Sequence, residues 1–225
     1  MKISIVTAFP ELMRSYLAAS VLGRAVAAGK LDAGVIDIRD FAEGDYRQID
    51  DYCYGSGGMM LMAEPLAKAL ASVSEGGKPY VVYPSPQGTH LYQELVEDLS
   101  RKEHLVIICG HYEGVDERFT QKYVDMEISL GDFVLTGGEM PAMAIVDAVS
   151  RLIPGVVGNN SSVTEDSFYS GMLDTPHYTR PAEWRGERVP EVLTNGDAKA
   201  IDRWRRRRSV ERTLDRRPDI AARAG

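Results

Sequence analysis

SLGDFVLTGGE, Ser129 to Glu139, opens as a strand, breaks at Gly131 and again at the pair Gly137-Gly138, and runs on into an apolar helical segment. Three glycines this near a strand end mark a place where backbone passes very close to something else. Their spacing fits neither G-x-G-x-x-G nor the lysine-bearing P-loop, so the common dinucleotide and triphosphate cradles are disfavoured. The first strand, KISIVT, is followed by AFPEL with no glycine, which points the same way.

Working outward, two further strands also end in glycine-bearing loops: YVVYP is followed by SPQG (85 to 88), and LVIICG (105 to 110) leads into CGHYEG (109 to 114). In an open parallel sheet, ligands sit beyond the carboxyl ends of the strands. Three such loops converging there can wrap a flat ligand with backbone donors and acceptors, which suits an adenine ring better than a polyphosphate.

The other runs support that sheet. KISIVT (2 to 7), VIDIRD (35 to 40), YVVYP (80 to 84), LVIICG (105 to 110) and EISLG (127 to 131) read as strands. PELMRSYLAAS, VLGRAVAAG, LYQELVEDLSR, DERFTQKY and Met140 to Ile153 read as helices. Nearly continuous apolar strands separated by helices predict an α/β fold with a mainly parallel sheet covered on both faces. Residues 44 to 62 read as a loop, a mobile flap or a wide turn. Residues 154 to 181, rich in Gly, Ser, Asn and Pro, read as a connector. The expected organisation is a first domain over 1–157, a linker over 158–173 and a small helical C-terminal domain over 174–225.

Composition fits a folded globular chain: 44% hydrophobic and 26% charged residues exclude a disordered or fibrous class. No apolar run approaches a membrane span, and KISIVTAF is too short for a signal segment. Cys53 and Cys109 form neither a disulfide framework nor a metal knuckle, so a reducing cytoplasm is expected; the four histidines show no ligand spacing, so no structural metal is expected. Net charge is −7, yet residues 201 to 225 hold nine Arg against four acidic residues, a local +5 that leaves −12 on residues 1 to 200. Such a block suits a local anionic partner or a solvated helical face, with pairs such as Asp202 and Arg206 four apart.

The ordered series DDYCYGSGGMMLM, YPSPQG, CGHYEGVDER, SLGDFVLTGGEMPAM, SRLIPGV, TEDSF, LDTPHYTRP and RWRRRRS resembles the bacterial tRNA (guanine-N1)-methyltransferases of the TrmD type, in the SPOUT class, over nearly the whole chain. The resemblance implies a deep C-terminal trefoil knot in the α/β domain and an S-adenosylmethionine site built on it. On that resemblance Pro86, Gly110, Tyr112, Glu113, Gly114, Ser129, Leu130, Gly131, Asp132, Phe133, Val134, Leu135, Gly137 and Gly138 are cofactor-loop positions. The sequence departs from the family pattern at His111, in CG-x-YEG, and at Ser56-Gly57-Gly58 in the flap.

Guanine N1 carries a proton and is a poor nucleophile until that proton leaves, so methylation there calls for a general base. Asp166, in TEDSF, matches the family's proposed base. Charge then spreads onto O6, where a fixed cation helps most in the transition state. Arg151, in SRLIPG, matches the residue proposed for that role. Without the resemblance, Asp166 reads as a helix N-cap or a solvated acid, and Arg151 as the partner of Asp147 four residues earlier. Phe168, Tyr169, His177 and Tyr178 offer rings near the proposed base, while Arg180 and Arg205, Arg206, Arg207 and Arg208 offer cations for RNA.

The resemblance further implies a homodimer with Asp166 acting in trans, and a tRNA substrate carrying guanosine at position 37, 3′ of the anticodon. It also implies magnesium dependence of methyl transfer, although no residue cluster identifies an ion site. Two other readings stand beside this one: a knotted methyltransferase acting on a ribose 2′-hydroxyl or another base, and a non-catalytic RNA-binding factor that keeps an adenosine-ligand site.

Overall fold

The computed structural model describes residues 1–55, 57–158 and 166–223. The chain divides into two compact units, Met1–Gly158 and Asn159–Gly225. Residues 159–165, which include the first part of the expected linker, and Ser56 of the flap lie outside the described residues.

The first unit is built on a five-stranded sheet in the order β2-β1-β6-β5-β7. Its strands are β1 Lys2–Thr7, β2 Asp32–Asp37, β5 Tyr80–His90, β6 His104–Ile108 and β7 Met126–Ser129. Every neighbouring pair is parallel, as the continuous apolar runs predicted. Side-chain alternation explains those runs. On β1 and β6, Ile3, Ile5, Leu105 and Ile107, with Cys109 just beyond β6, face one core, while Val6, Val106 and Ile108 face the other. Both faces of β1 and β6 are buried, so a buried polar side chain there needs a partner, as Ser4 has in His104.

Helices α1 Pro10–Leu17, α2 Ser20–Ala27, α4 Gln93–Ser100 and α6 Glu139–Ser150 supply apolar side chains to the first core. Helices α3 Ala63–Val73 and α5 Glu117–Tyr123 close the second. Helix α6 buries Ala142, Ile145, Val146 and Val149, a one-sided stripe that seats it against the sheet.

Several sequence readings are corrected. The second strand runs over Asp32–Asp37 rather than 35 to 40, because Asp37 accepts a hydrogen bond from the Arg39 N–H and turns the chain into a 3₁₀ turn at Ile38–Phe41. Residues 44 to 62 are not all loop: β3 Asp50–Tyr52 and β4 Met59–Leu61 pair antiparallel. Helix α3, which the sequence reading passed over, packs Leu66, Ala69 and Leu70 into the second core. Strand β5 does not stop at Pro84. Its register against β7 jumps from Pro84 to Thr89, both opposite Ile128, so residues 85 to 88 bulge out and the strand resumes. Pro84 and Pro86 have no N–H to give the ladder, which is why the bulge lies there.

In the second unit a short hairpin accompanies the helices. The hairpin of β8 Glu183–Trp184 and β9 Glu187–Arg188 comes first, then a 3₁₀ turn at Glu191–Leu193. Helix α7 Ala198–Arg216 follows, with Asp197 capping the Lys199 and Ala200 N–H groups at 3.0 and 3.1 Å. It ends where Pro218 opens the short helix α8 Pro218–Arg223. Thr175, Trp204, Thr213 and Ile220 are the buried side chains among the unit's described residues.

Candidate active site

The bulge of β5 lies opposite the carboxyl end of β7, and β6 is the other neighbour of β5 in the sheet, so the three glycine-bearing segments meet there. They enclose a cavity of ≈ 240 Å³, room for an organic ligand rather than an ion. Every expected cofactor position except Asp132 lines it: Pro86 on the bulge, Gly110, Tyr112, Glu113 and Gly114 on the second loop, and Ser129, Leu130, Gly131, Phe133, Val134, Leu135, Gly137 and Gly138 on the third. Asp132 is exposed, with its carboxylate 3.2 Å from His90 Nε2.

The glycines are used for close backbone approach. A Cβ on Gly138 would lie 2.7 Å from the Gly110 nitrogen and 2.9 Å from Cys109 Cα. There the Gly138 N–H donates to the Gly110 carbonyl at 2.7 Å, tying the third loop to the second. A Cβ on Gly88 would lie 2.3 Å from the backbone of Glu127 and Ile128, so the β5 bulge also rides directly on β7. Tyr112 holds a left-handed φ of 59°, unusual for a non-glycine residue, and Gly114 follows at 118°. Strain of this kind gathers at ligand sites.

The flap hairpin fastens onto the second loop. Glu113 N–H donates to the Met59 carbonyl at 3.0 Å and Leu61 N–H to the Gly114 carbonyl at 3.0 Å. The side chain of Glu113 occupies the space where a Cβ on Gly58 would be, 2.6 Å from its Cγ. A side chain at position 58 would therefore displace that of Glu113, a pocket residue.

Beneath the third loop lies a buried polar group that the sequence reading missed. Glu139 Oε1 accepts a hydrogen bond from Thr7 Oγ1 at 2.8 Å, and its Oε2 stands 3.9 Å from His111 Nδ1. Burial pushes the Cys109 thiol well up, and the Glu139 charge adds to it. Tyr83, Ser85, His111, Thr136 and Pro141 also line the cavity. Burial raises the Tyr83 phenol above its usual range, with Glu127 adding to the effect. Adjacency in YPSPQG and CGHYEG was the available signal for Tyr83, Ser85 and His111.

Arg151 caps α6 at its C-terminal end, where its N–H donates to the Asp147 carbonyl at 3.1 Å. In the second unit Asp166 is half-buried and precedes a turn. Phe168 N–H donates to the Met172 carbonyl at 2.8 Å, with Phe168 at a left-handed φ of 75°. The turn is pinned to α7: Leu173 N–H donates to Thr213 Oγ1 at 2.9 Å, and Ser209 Oγ to the Leu173 carbonyl at 2.5 Å. Phe168, Tyr169, His177, Tyr178 and Arg180 are exposed. His177 Nε2 lies 2.7 Å from Asp174. Although burial opposes it, that hydrogen bond, the Thr175 N–H and the Arg205 charge hold the Asp174 carboxyl below its usual range.

The arginine run projects from α7 into solvent. Arg206 pairs with Asp202 at 3.2 Å, as the four-residue spacing predicted, while Arg207 and Arg208 pair with Glu211 at 3.5 and 2.8 Å. Exposed pairs of this kind are worth about 0 to 1 kcal/mol and exchange readily for another anion. Arg208 also stands over the Trp204 ring at 5.8 Å. Among the described residues no helix is long and apolar enough to cross a membrane, and no group of three or more His, Cys, Asp or Glu could hold a metal ion.

Comparison with known proteins agrees with this architecture. The family model for tRNA (Guanine-1)-methyltransferase TrmD matches residues 1–223. The tRNA (guanine-N(1)-)-methyltransferase of Ruminiclostridium cellulolyticum is 46% identical over 223 residues, covering 98% of this chain and 96% of the relative. That of Moorella thermoacetica is 49% identical over 227 residues (99% and 91%), and that of Magnetococcus marinus 50% over 229 residues (100% and 90%). The chain therefore belongs to the tRNA (Guanine-1)-methyltransferase TrmD family.

Proposed function

We propose that this chain methylates N1 of guanosine in tRNA, at position 37 beside the anticodon, with S-adenosylmethionine as donor. The observation that carries the reading is the pocket: three loops from adjacent parallel strands close on one cavity lined by all but one of the expected cofactor positions. The cavity fits the donor chemically. Leu130, Val134, Leu135 and Ile128 offer apolar walls for a flat ring, and the bare backbone at Gly110 and Gly138 admits close approach. When bound there, S-adenosylmethionine supplies a methyl group activated by its sulfonium.

The protein's own part is orientation and proton removal. The glycine loops hold the donor in line with the incoming nitrogen. Asp166 takes the N1 proton as general base, a role worth ~10² to 10⁴ in rate. Arg151 stabilises the charge that moves onto O6, more in the transition state than before it. Phe168, His177 and Tyr178 stack on or edge-bond the exposed guanine, and Arg180 with Arg205 to Arg208 engages phosphate. The magnesium dependence that the resemblance implies would have no protein-built site of three or more His, Cys, Asp or Glu among the described residues.

The chain works as a homodimer in which Asp166 of one copy serves the pocket of the other. Phe133 and Val134, 56% and 85% exposed, line the pocket together with exposed Leu135, and an exposed apolar patch of this kind supports cover by a second copy. The backbone near-contacts at Gly88 and Gly138 support threading of residues 130–138 as a trefoil knot.

Tritium transfer from labelled donor to transcribed tRNA, followed by nucleoside mass spectrometry, tests the reading. 1-Methylguanosine is expected, with Asp166→Asn lowering kcat by about 10²-fold or more. A ribose or other base methyl, or no transfer at all, overturns it.

A further inference from the structure

Glu139 is the one acidic side chain that is buried among the described residues, only 5% exposed. Burying a carboxylate is costly unless it is paired, so its placement calls for a reason. One oxygen is tied to Thr7 Oγ1 at 2.8 Å, on the interior strand β1. The other faces His111 Nδ1 at 3.9 Å, a nitrogen that is itself buried and lacks a hydrogen-bond partner. At that distance no hydrogen bond exists yet. The gap is also sealed, because a Cβ on Gly137 would lie 2.6 Å from both Glu139 Oε2 and His111 Nδ1. Phe9 and Tyr112 pack on the imidazole, each with ring centroids 4.8 Å away.

His111 belongs to the second pocket loop, and Glu139 directly follows the third. We propose that Glu139 is a positioning residue for the donor pocket: anchored by Thr7, its carboxylate accepts the His111 Nδ1–H when the pocket fills, locking residues 110–114 against Gly137-Gly138. Filling the pocket shortens the 3.9 Å gap and gives the buried His111 nitrogen its partner. Glu139 touches neither the donor nor the guanine; it acts through His111. The inference rests on the pocket being the S-adenosylmethionine site.

The test uses the full chain and S-adenosylmethionine, with calorimetric Kd and steady-state kinetics on tRNA. Glu139→Gln removes the charge from the clamp, and a charge-assisted hydrogen bond is worth about tenfold or more in affinity. Kd and KM for the donor are therefore expected to rise about tenfold while kcat at saturation stays within about twofold. His111→Asn should match it, and the double variant should be no worse than either single, because both break one interaction. Thr7→Val, which lines no pocket, should shift Kd the same way by less, and it serves where Glu139→Gln fails to fold. A wild-type donor Kd in Glu139→Gln or, failing that variant, in Thr7→Val overturns the proposal. So do losses that add in full between Glu139→Gln and His111→Asn. Wild-type protein that binds no S-adenosylmethionine overturns the function and the clamp together, whereas variant parity in a binding wild type sinks the clamp alone.

Discussion

Replacing Gly138 by alanine probes the closure of the pocket with one methyl group. The new Cβ would lie 2.7 Å from the Gly110 nitrogen, 2.9 Å from Cys109 Cα and 3.1 Å from the Cys109 carbonyl carbon. All three are backbone atoms, so none can rotate aside. Gly138 has φ −79° and ψ −7°, which alanine adopts freely, so the cost is steric alone. Relief to an ordinary separation means opening 2.7 Å to 3.4 Å. That parts the third loop from the second and breaks the Gly138-to-Gly110 hydrogen bond. Overpacking and the broken bond together cost roughly 2 to 4 kcal/mol. For a chain of this size the melting temperature then falls roughly 4 to 16 °C. A displacement near 1 Å at the reacting centre lowers kcat/KM about 10²-fold. Thermal melts and tritium transfer read both effects. Gly34→Ala is the control, since a Cβ there meets nothing within 4 Å and it should stay within about 0.5 kcal/mol of wild type. If Gly138→Ala melts and turns over like Gly34→Ala, the close backbone approach is not what shapes the pocket.

Replacing Arg205 to Arg208 by alanine should weaken tRNA binding and flatten the plot of log affinity against log salt, by about 0.7 to 0.9 for each phosphate that is no longer neutralised; an unchanged slope removes α7 from the RNA interface. Mixing Asp166→Ala and Arg151→Ala chains should restore part of the activity in heterodimers, and no recovery counts against a shared site. Because burial holds the Cys109 thiol protonated, an aromatic disulfide reagent at pH 8 should titrate Cys53 in the native chain and both cysteines only after denaturation. Burial and then the Lys2 charge lower His104 below its usual range, with Ser4 Oγ 2.9 Å from its ring. The unfolded chain therefore takes that proton more readily, so stability is full above pH ~6.5 and falls as pH drops through it. His104→Gln should reduce the acid slope of the melting temperature between pH 7.5 and 5.5.

The sheet was legible because burial on both faces writes a plain signal: nearly every residue of β1 and β6 is buried, and their apolar members divide between two cores. The glycine loops were legible for the same local reason, as strand ends with no side chain where backbone must pass. Local signals failed where a partner from elsewhere decided the outcome. Asp132 sits inside a motif whose neighbours line the cavity, yet its own side chain turns to solvent and His90. The hairpin β3-β4 hid within a glycine-rich run because its edge is satisfied by loop 111–115 rather than by a recognisable strand.

Sequence by itself therefore determined the parallel α/β sheet, the three loops at its carboxyl edge and the chemistry of their residues, because those follow from period, glycine and local composition. Only the tertiary structure decided that Glu139 is a buried anchor rather than an ordinary acidic residue in a helix's first turn. Its partner Thr7 lies 132 positions away, and no pattern within one segment encodes which distant hydroxyl a folded chain will bring within 2.8 Å of it.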